Sequence, residues 1–287
     1  EAYKWLYAHF GRQRDVKDDQ SKEKSSELVV VNASSVTPQP IEWLWSDRLA
    51  LGKVSLLVGN PGQGKSYATC AISAALTKGL VLPEHQGVVV QGDVLMFAIE
   101  DGLSDTIRPR LDIVEADVCK VDVVTGRVED GKDKHVSFET DLSDVERHIE
   151  GKNYKLIIID PINAYLGGKL DTNSDSKLRS VLAPIASMAE RHNIAVLCVM
   201  HLNKSQNTNV LGRVMGSVGY VGLARTVLFL GEHPNNHQQR VIDCVKSNIG
   251  ELPPPIAFEI DCGKFYWIGE TDARAEDILD PLRNSHF

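Results

Sequence analysis

Between residues 53 and 200, short apolar runs alternate with longer segments of helix length. The runs are Lys53–Val58, Asp93–Ile99, Val121–Val124, Leu156–Ile159 and Ile194–Met200. Helices are predicted between them near 65–79, 103–115, 141–150 and 175–192. This alternation predicts an α/β fold, a mostly parallel central sheet covered by helices on both faces. Past residue 224 the pattern changes. Segments 225–230, 239–246, 256–260 and 264–268 read as consecutive strands joined by turns, which predicts antiparallel strands at the C-terminal edge of the same sheet.

The start of the chain is different. EAYKWLYAHF places Tyr3, Leu6, Tyr7 and Phe10 on a helical stripe. A helix this short does not hold its shape alone, so it is expected to dock on something. Residues 11–28 are polar and charged and read as a linker, and TPQP precedes the globular core. The expected organisation is a docking helix and linker over 1–40, one domain over 41–270 and a tail over 271–287. The first residue is Glu1 rather than Met, which leads us to expect a preceding segment.

Composition narrows the function classes. The chain has 287 residues, 43% hydrophobic, with 31 basic and 39 acidic residues and a net charge of −8. That excludes a disordered or collagenous chain and argues against a broad basic face for DNA. No apolar run approaches the ~18 residues a membrane span needs, so a soluble, cytoplasmic protein is expected. Cys70, Cys119, Cys198, Cys244 and Cys262 are scattered and odd in number, and buried reduced thiols are expected rather than a disulfide framework or zinc site.

Residues 59–66 carry the chemistry: Gly59, Asn60, Pro61, Gly62, Gln63, Gly64, Lys65 and Ser66 fit GxxxxGK[ST] throughout. The stretch follows a predicted strand and precedes a predicted helix. Glycines let successive N–H groups face one anion, and the helix adds its positive end. ATP with Mg²⁺ is the expected ligand. Lys65 is placed for the β and γ phosphates, Ser66 for the metal, and Tyr67 completes the nucleotide-binding stretch. Leu156–Ile159 ends in Asp160, a second carboxylate for Mg²⁺ from the outer shell.

Many ATPases follow that Asp with a Glu that polarises water; here Pro161 stands there. Ligands of open α/β sheets sit beyond the carboxyl ends of the strands. The strand ending in Glu100-Asp101-Gly102 therefore supplies the candidate base, Glu100, with Asp101 as the alternative, although Asp101 or Ser104 is expected to cap the following helix. His201 ends the next strand on the same edge and is a candidate to report the γ-phosphate. Arg225 has its own rationale, because a site without an extra cation needs one for transition-state charge. Residues 202–217 read as a polar, Gly-containing loop with Lys204 and Arg213.

VGNPGQGKS, FAIEDG, IIIDP, VMHLNKS and GSVGYVGLARTVLFL in this order resemble the RecA-like P-loop NTPases. Within them, the chain is most similar to the RepA-type hexameric replicative helicases of plasmids and phages, a branch near the DnaB type. The resemblance spans roughly 41–270. It implies a catalytic role for Glu100, a γ-phosphate sensor in His201, an arginine finger in Arg225, a second basic finger in Lys246, and DNA-phosphate contacts from Lys204 and Arg213 in the loop over 202–217. DnaB-type proteins carry an Arg two residues on, where this chain has Asn248. The implied activity is ATP hydrolysis driving movement on single-stranded DNA by a homo-oligomer, a hexameric ring, in plasmid or phage replication. A primase-like domain upstream would fit that setting. A recombination or repair ATPase forming filaments, and a nucleotide switch without translocation, stand as alternatives.

Overall fold

A computed structural model describes residues 30–167, 175–203, 210–213 and 218–279. The helix expected over 1–10, its linker, Lys204 and residues 280–287 lie outside the described residues. The chain divides into two compact units, Glu1–Pro40 and Ile41–Phe287. The described end of the first is extended and exposed, with one short turn at Ala33–Ser35 capped by the Asn32 side chain.

The second unit runs β1 (Trp43–Trp45), β2 (Leu49–Ala50), β3 (Val54–Gly59), α1 (Lys65–Lys78), β4 (Asp93–Ala98), α2 (Arg108–Ile113) and β5 (Val121–Val124). Next come β6 (Arg127–Glu129), β7 (Lys132–Lys134), α3 (Leu142–Ile149), β8 (Tyr154–Asp160), α4 (Asp175–His192) and β9 (Ala195–His201). The rest is α5 (Val210–Arg213), α6 (Val218–Leu223), β10 (Thr226–His233), β11 (Asn236–Ser247), β12 (Ile256–Asp261), β13 (Lys264–Glu270) and α7 (Ala275–Leu279). Nine strands form one sheet in the order β13-β12-β11-β10-β3-β9-β8-β4-β5. From β10 to β5 all neighbours are parallel, while β10, β11, β12 and β13 pair antiparallel, as the two sequence patterns predict.

Alternate residues of the parallel strands feed two separate cores. Leu56, Val58, Phe97, Ile157, Ile159 and Val196 face α3 and α4. Leu57, Val94, Met96, Leu156, Ile158 and Leu197 face α1 and α2. This explains why Leu156–Ile159 has no polar position: every residue of it is buried. Helix α1 lies deep in the second core, and its small residues permit close approach. Its buried Ser73 and Thr77 hydroxyls donate to carbonyls four residues back, at 2.8 Å each, so neither is left unpaired.

Three expectations need correction. The helix foreseen over 103–115 starts as a π turn, Leu103–Ile107, before α2. Ile107 N reaches five residues back to Gly102 O (3.0 Å), and the regular helix begins only after it, with Pro109 in the first turn, where its missing N–H is tolerated. Second, residues past 270 join the fold: the buried Asp243 carboxylate accepts from Ala275 N (2.8 Å) and Arg274 Nη1 (3.1 Å), anchoring α7 against the sheet. Third, Cys119 and Cys262 are exposed; Cys70, Cys198 and Cys244 are buried, and all five are free thiols. Among the described residues, no helix is long and apolar enough to cross a membrane.

Candidate active site at the carboxyl edge of the sheet

The ends of β3, β4, β8 and β9 meet at one edge, and their loops enclose a cleft of about 230 Å³. Gly62, Gly64, Lys65, Ser66, Tyr67, Glu100, Asp101, Arg110, Asp160 and His201 line it. The phosphate loop is shaped by glycine where glycine is required. Gly62 and Gly64 have φ of 75° and 93°, and Gly64 is the residue from which α1 starts. A Cβ on Gly59 would lie 2.3 Å from Leu230 O, a backbone atom of β10 that cannot swing away.

Lys65 is buried and folded back onto its own loop. Its Nζ donates to Gly59 O and Asn60 O, both at 2.9 Å, and lies 3.1 Å from His201 Nδ1. Since an ammonium only donates, Nδ1 is the acceptor and the ring proton belongs on Nε2. Burial pulls the Lys65 ammonium down to about 8, against the opposing fields of Asp160 and Glu100. Ser66 Oγ donates to Asp160 Oδ2 at 3.0 Å. Burial raises the Asp160 carboxyl above its ordinary value, only partly offset by that hydrogen bond and by Lys65.

The cleft thus brings together Lys65, Ser66, Asp160, Glu100 and His201, drawn from four strand ends. Glu100 is exposed at the mouth. Asp101 differs from expectation. Neither it nor Ser104 caps the next helix; Asp101 Oδ2 accepts from Arg110 Nη1 at 2.5 Å. The Arg110 guanidinium also stands over the Tyr67 ring, 5.3 Å from its centroid. Arg110 escaped the sequence reading. Its signal was one of two Arg residues, Arg108 and Arg110, about two turns into an ordinary helix pattern.

Arg225 and Lys246 lie at the opposite edge. Arg225 N donates to Val54 O (2.8 Å), at the far end of β3 from Gly59. Six strand residues separate the two ends by roughly 20 Å, beyond the reach of an arginine. The Arg225 side chain is exposed. Lys246 Nζ donates to Val221 O and Ala224 O, both at 2.6 Å, and is held below its ordinary pKa by burial and by Arg225. Arg213 is turned inward: its Nη2 lies 3.4 Å from Asn60 Oδ1 and 3.4 Å from Asn203 O.

A parallel sheet extended by an antiparallel edge, a glycine loop before a helix, and Lys, Ser and Asp converging at the strand ends define a RecA-like P-loop ATPase, a nucleotide-binding domain. A family model described as an AAA domain matches residues 17–207, and the chain belongs to that family. DNA repair protein RadA of Listeria monocytogenes is 25% identical over 237 residues, covering 82% of this chain and 45% of that protein. RadA of Streptococcus pneumoniae is 24% identical over 214 residues, covering 74% and 43%. The chain spans less than half the length of these curated relatives. Among solved structures, the ATPase domain of G40P matches with a TM-score of 0.54 at 11% identity, over 74% of this chain and 84% of that one, a likeness of fold.

Proposed function

We propose that this domain is the ATPase of a ring-forming DNA motor, a replicative helicase that turns over ATP to translocate on single-stranded DNA. The observation that carries the reading is the division of cations between the two sheet edges. The cleft holds Lys65 on the phosphate side. Arg225 and Lys246 sit too far away to serve the same ATP, so they are offered to the cleft of a neighbouring copy.

In this reading ATP lies along residues 59–67, with Lys65 drawn onto the β and γ phosphates. Ser66 and Asp160 are hard oxygen donors 3.0 Å apart at the mouth of that loop, which suits Mg²⁺. Two protein oxygens would leave the rest of an Mg²⁺ shell to phosphate oxygens and water. Bound there, the ion neutralises charge on the transferring phosphoryl group. Glu100 takes the proton of the attacking water, His201 reads the γ-phosphate through Lys65, and Arg225 with Lys246 stabilises charge across the interface. Lys204 contributes to a narrow track for DNA phosphates, repeated by the ring, which reconciles an acidic chain with DNA.

The test is the ATPase rate with and without single-stranded DNA, run with light scattering. Stimulation together with assembly supports the reading; a monomer whose ATPase ignores DNA overturns it. The RadA similarity favours a second reading, a repair ATPase. Negative-stain microscopy separates them: closed rings and displacement of a forked duplex support the helicase, growing filaments the repair protein.

A further inference from the structure

Tyr165 follows the end of β8 in a short 3₁₀ turn, Ile162–Tyr165. Such a turn brings every third residue to one side, so Ile162 and Tyr165 are buried together. The Tyr165 ring stands edge-on to Phe97, with centroids 5.5 Å apart at 82°, and 5.8 Å from Phe138, whose N donates to Tyr165 O (2.8 Å). Packing asks only for a phenyl here; the hydroxyl is extra. Trp45, Tyr154 and Tyr220 are as deeply buried, and each has its polar tip paired, with Pro83 O, Asp122 and Asn163 respectively. The Tyr165 hydroxyl is buried with no partner among the described residues. A buried polar group left open in this way calls for a reason.

Its position supplies one. Phe97 lies on β4, just ahead of Ile99 and Glu100, and the Tyr165 hydroxyl faces the Ile99 N–H without completing a hydrogen bond. The carboxylates of Asp160 and Glu100 both act on it electrostatically. Asp160 is already engaged by Ser66, whereas Glu100 is exposed at the mouth and its carboxylate takes no hydrogen bond among the described residues. A base must be held in one direction to take a proton from one water. We infer that the Tyr165 hydroxyl is the donor that orients Glu100 once nucleotide and water occupy the cleft, which makes Tyr165 a positioning residue for the base. The inference rests on Glu100 as the base of the proposed function, and not on movement along DNA. Tyr165 gives up no proton in the step. Burial, and then the fields of Asp160 and Glu100, push its phenol above the ordinary value, so it stays protonated and donates while Glu100 takes the proton of water. A hydrogen bond donated to a carboxylate also favours the ionised form, the form a base needs.

The experiment is a double-mutant cycle on the full chain, with steady-state ATPase for kcat and KM, single-turnover hydrolysis for the slow variants, and thermal melting of each. The variants are Tyr165→Phe, Glu100→Gln and the two together. Tyr165→Phe keeps the ring and its packing. It is expected to lower kcat about ten- to a hundredfold, the size of one hydrogen bond to an ionised group, with KM for ATP kept. Its Tm should equal that of the wild type or exceed it, since no hydrogen bond of the resting protein is lost. On top of Glu100→Gln, the same change should alter the residual rate by less than about twofold, because the group it acts through is gone. Wild-type kcat in Tyr165→Phe overturns the inference. So does a further loss on top of Glu100→Gln, a rise in KM in place of the fall in kcat, or a fall in kcat that comes with a fall in Tm. Wild-type turnover in Glu100→Gln overturns the base assignment and the inference with it.

Discussion

The two edges of the parallel sheet use their charges in opposite ways. At the carboxyl edge, Lys65 lies against His201 and Ser66 against Asp160, Asp101 pairs with Arg110, and desolvation lowers the Lys65 ammonium and raises the Asp160 carboxyl. At the amino edge, Lys246 rests on backbone carbonyls and Arg225 projects from the surface. One edge is a cradle whose cations, Lys65 and Arg110, are already engaged, by backbone carbonyls and by Asp101. The other is a pair of cations lacking a cradle. A sheet only six residues deep keeps the halves apart, so each copy is read as supplying the missing half of another.

The sharpest way to break this comparison is Arg225→Ala. Turnover is expected to fall by about 10³–10⁵-fold with ATP binding retained. Mixing with Lys65→Ala protein should restore part of the activity, since the two defects lie on different copies. No recovery at any ratio of the mixture would return Arg225 to an ordinary surface residue. Glu100→Gln tests the carboxyl edge alone, with an expected loss of about 10²–10⁴-fold in kcat and little change in ATP affinity by equilibrium titration.

The Lys65 ammonium gives a prediction in pH. Burial lowers it from 10.5 to about 8, so the folded protein releases this proton before the unfolded chain does. Below about pH 8 the folded state carries the full cost of the buried charge, on the order of 3 kcal/mol. As pH rises from the folded value toward the unfolded one, that cost is relieved, and this residue's contribution to stability grows. Urea titrations of wild type and Lys65→Met at about pH 7 and about pH 9.5 should show this slope only in the wild type.

Gly59→Ala should destabilise the fold by about 1–3 kcal/mol, read as a lowered Tm, because the new methyl meets Leu230 O. The mildest change is Arg110→Ala. Loss of the Asp101 pair and the Tyr67 contact is expected to raise KM for ATP about two- to tenfold with kcat nearly kept.

What was legible follows the range of the interactions involved. The parallel strands announce themselves because each is buried on both faces, and the phosphate loop because its geometry needs glycine at fixed offsets. The hairpin of β1 and β2 went unread: its strands are two or three residues long, and Trp45 is held by partners far along the chain, Trp267 and the Pro83 carbonyl. The Asp101–Arg110 pair is joined across a π turn, Leu103–Ile107, which periodicity does not report. Arg213 looked like a loop charge, since nothing local says that the backbone after β9 returns to the phosphate loop.

The grip of Lys65 on Gly59 O, Asn60 O and His201 means that the phosphate loop at rest holds no idle ammonium. A phosphate that draws the lysine away must replace those acceptors, so what the lysine contributes to binding is the difference between two sets of hydrogen bonds and not the whole of one.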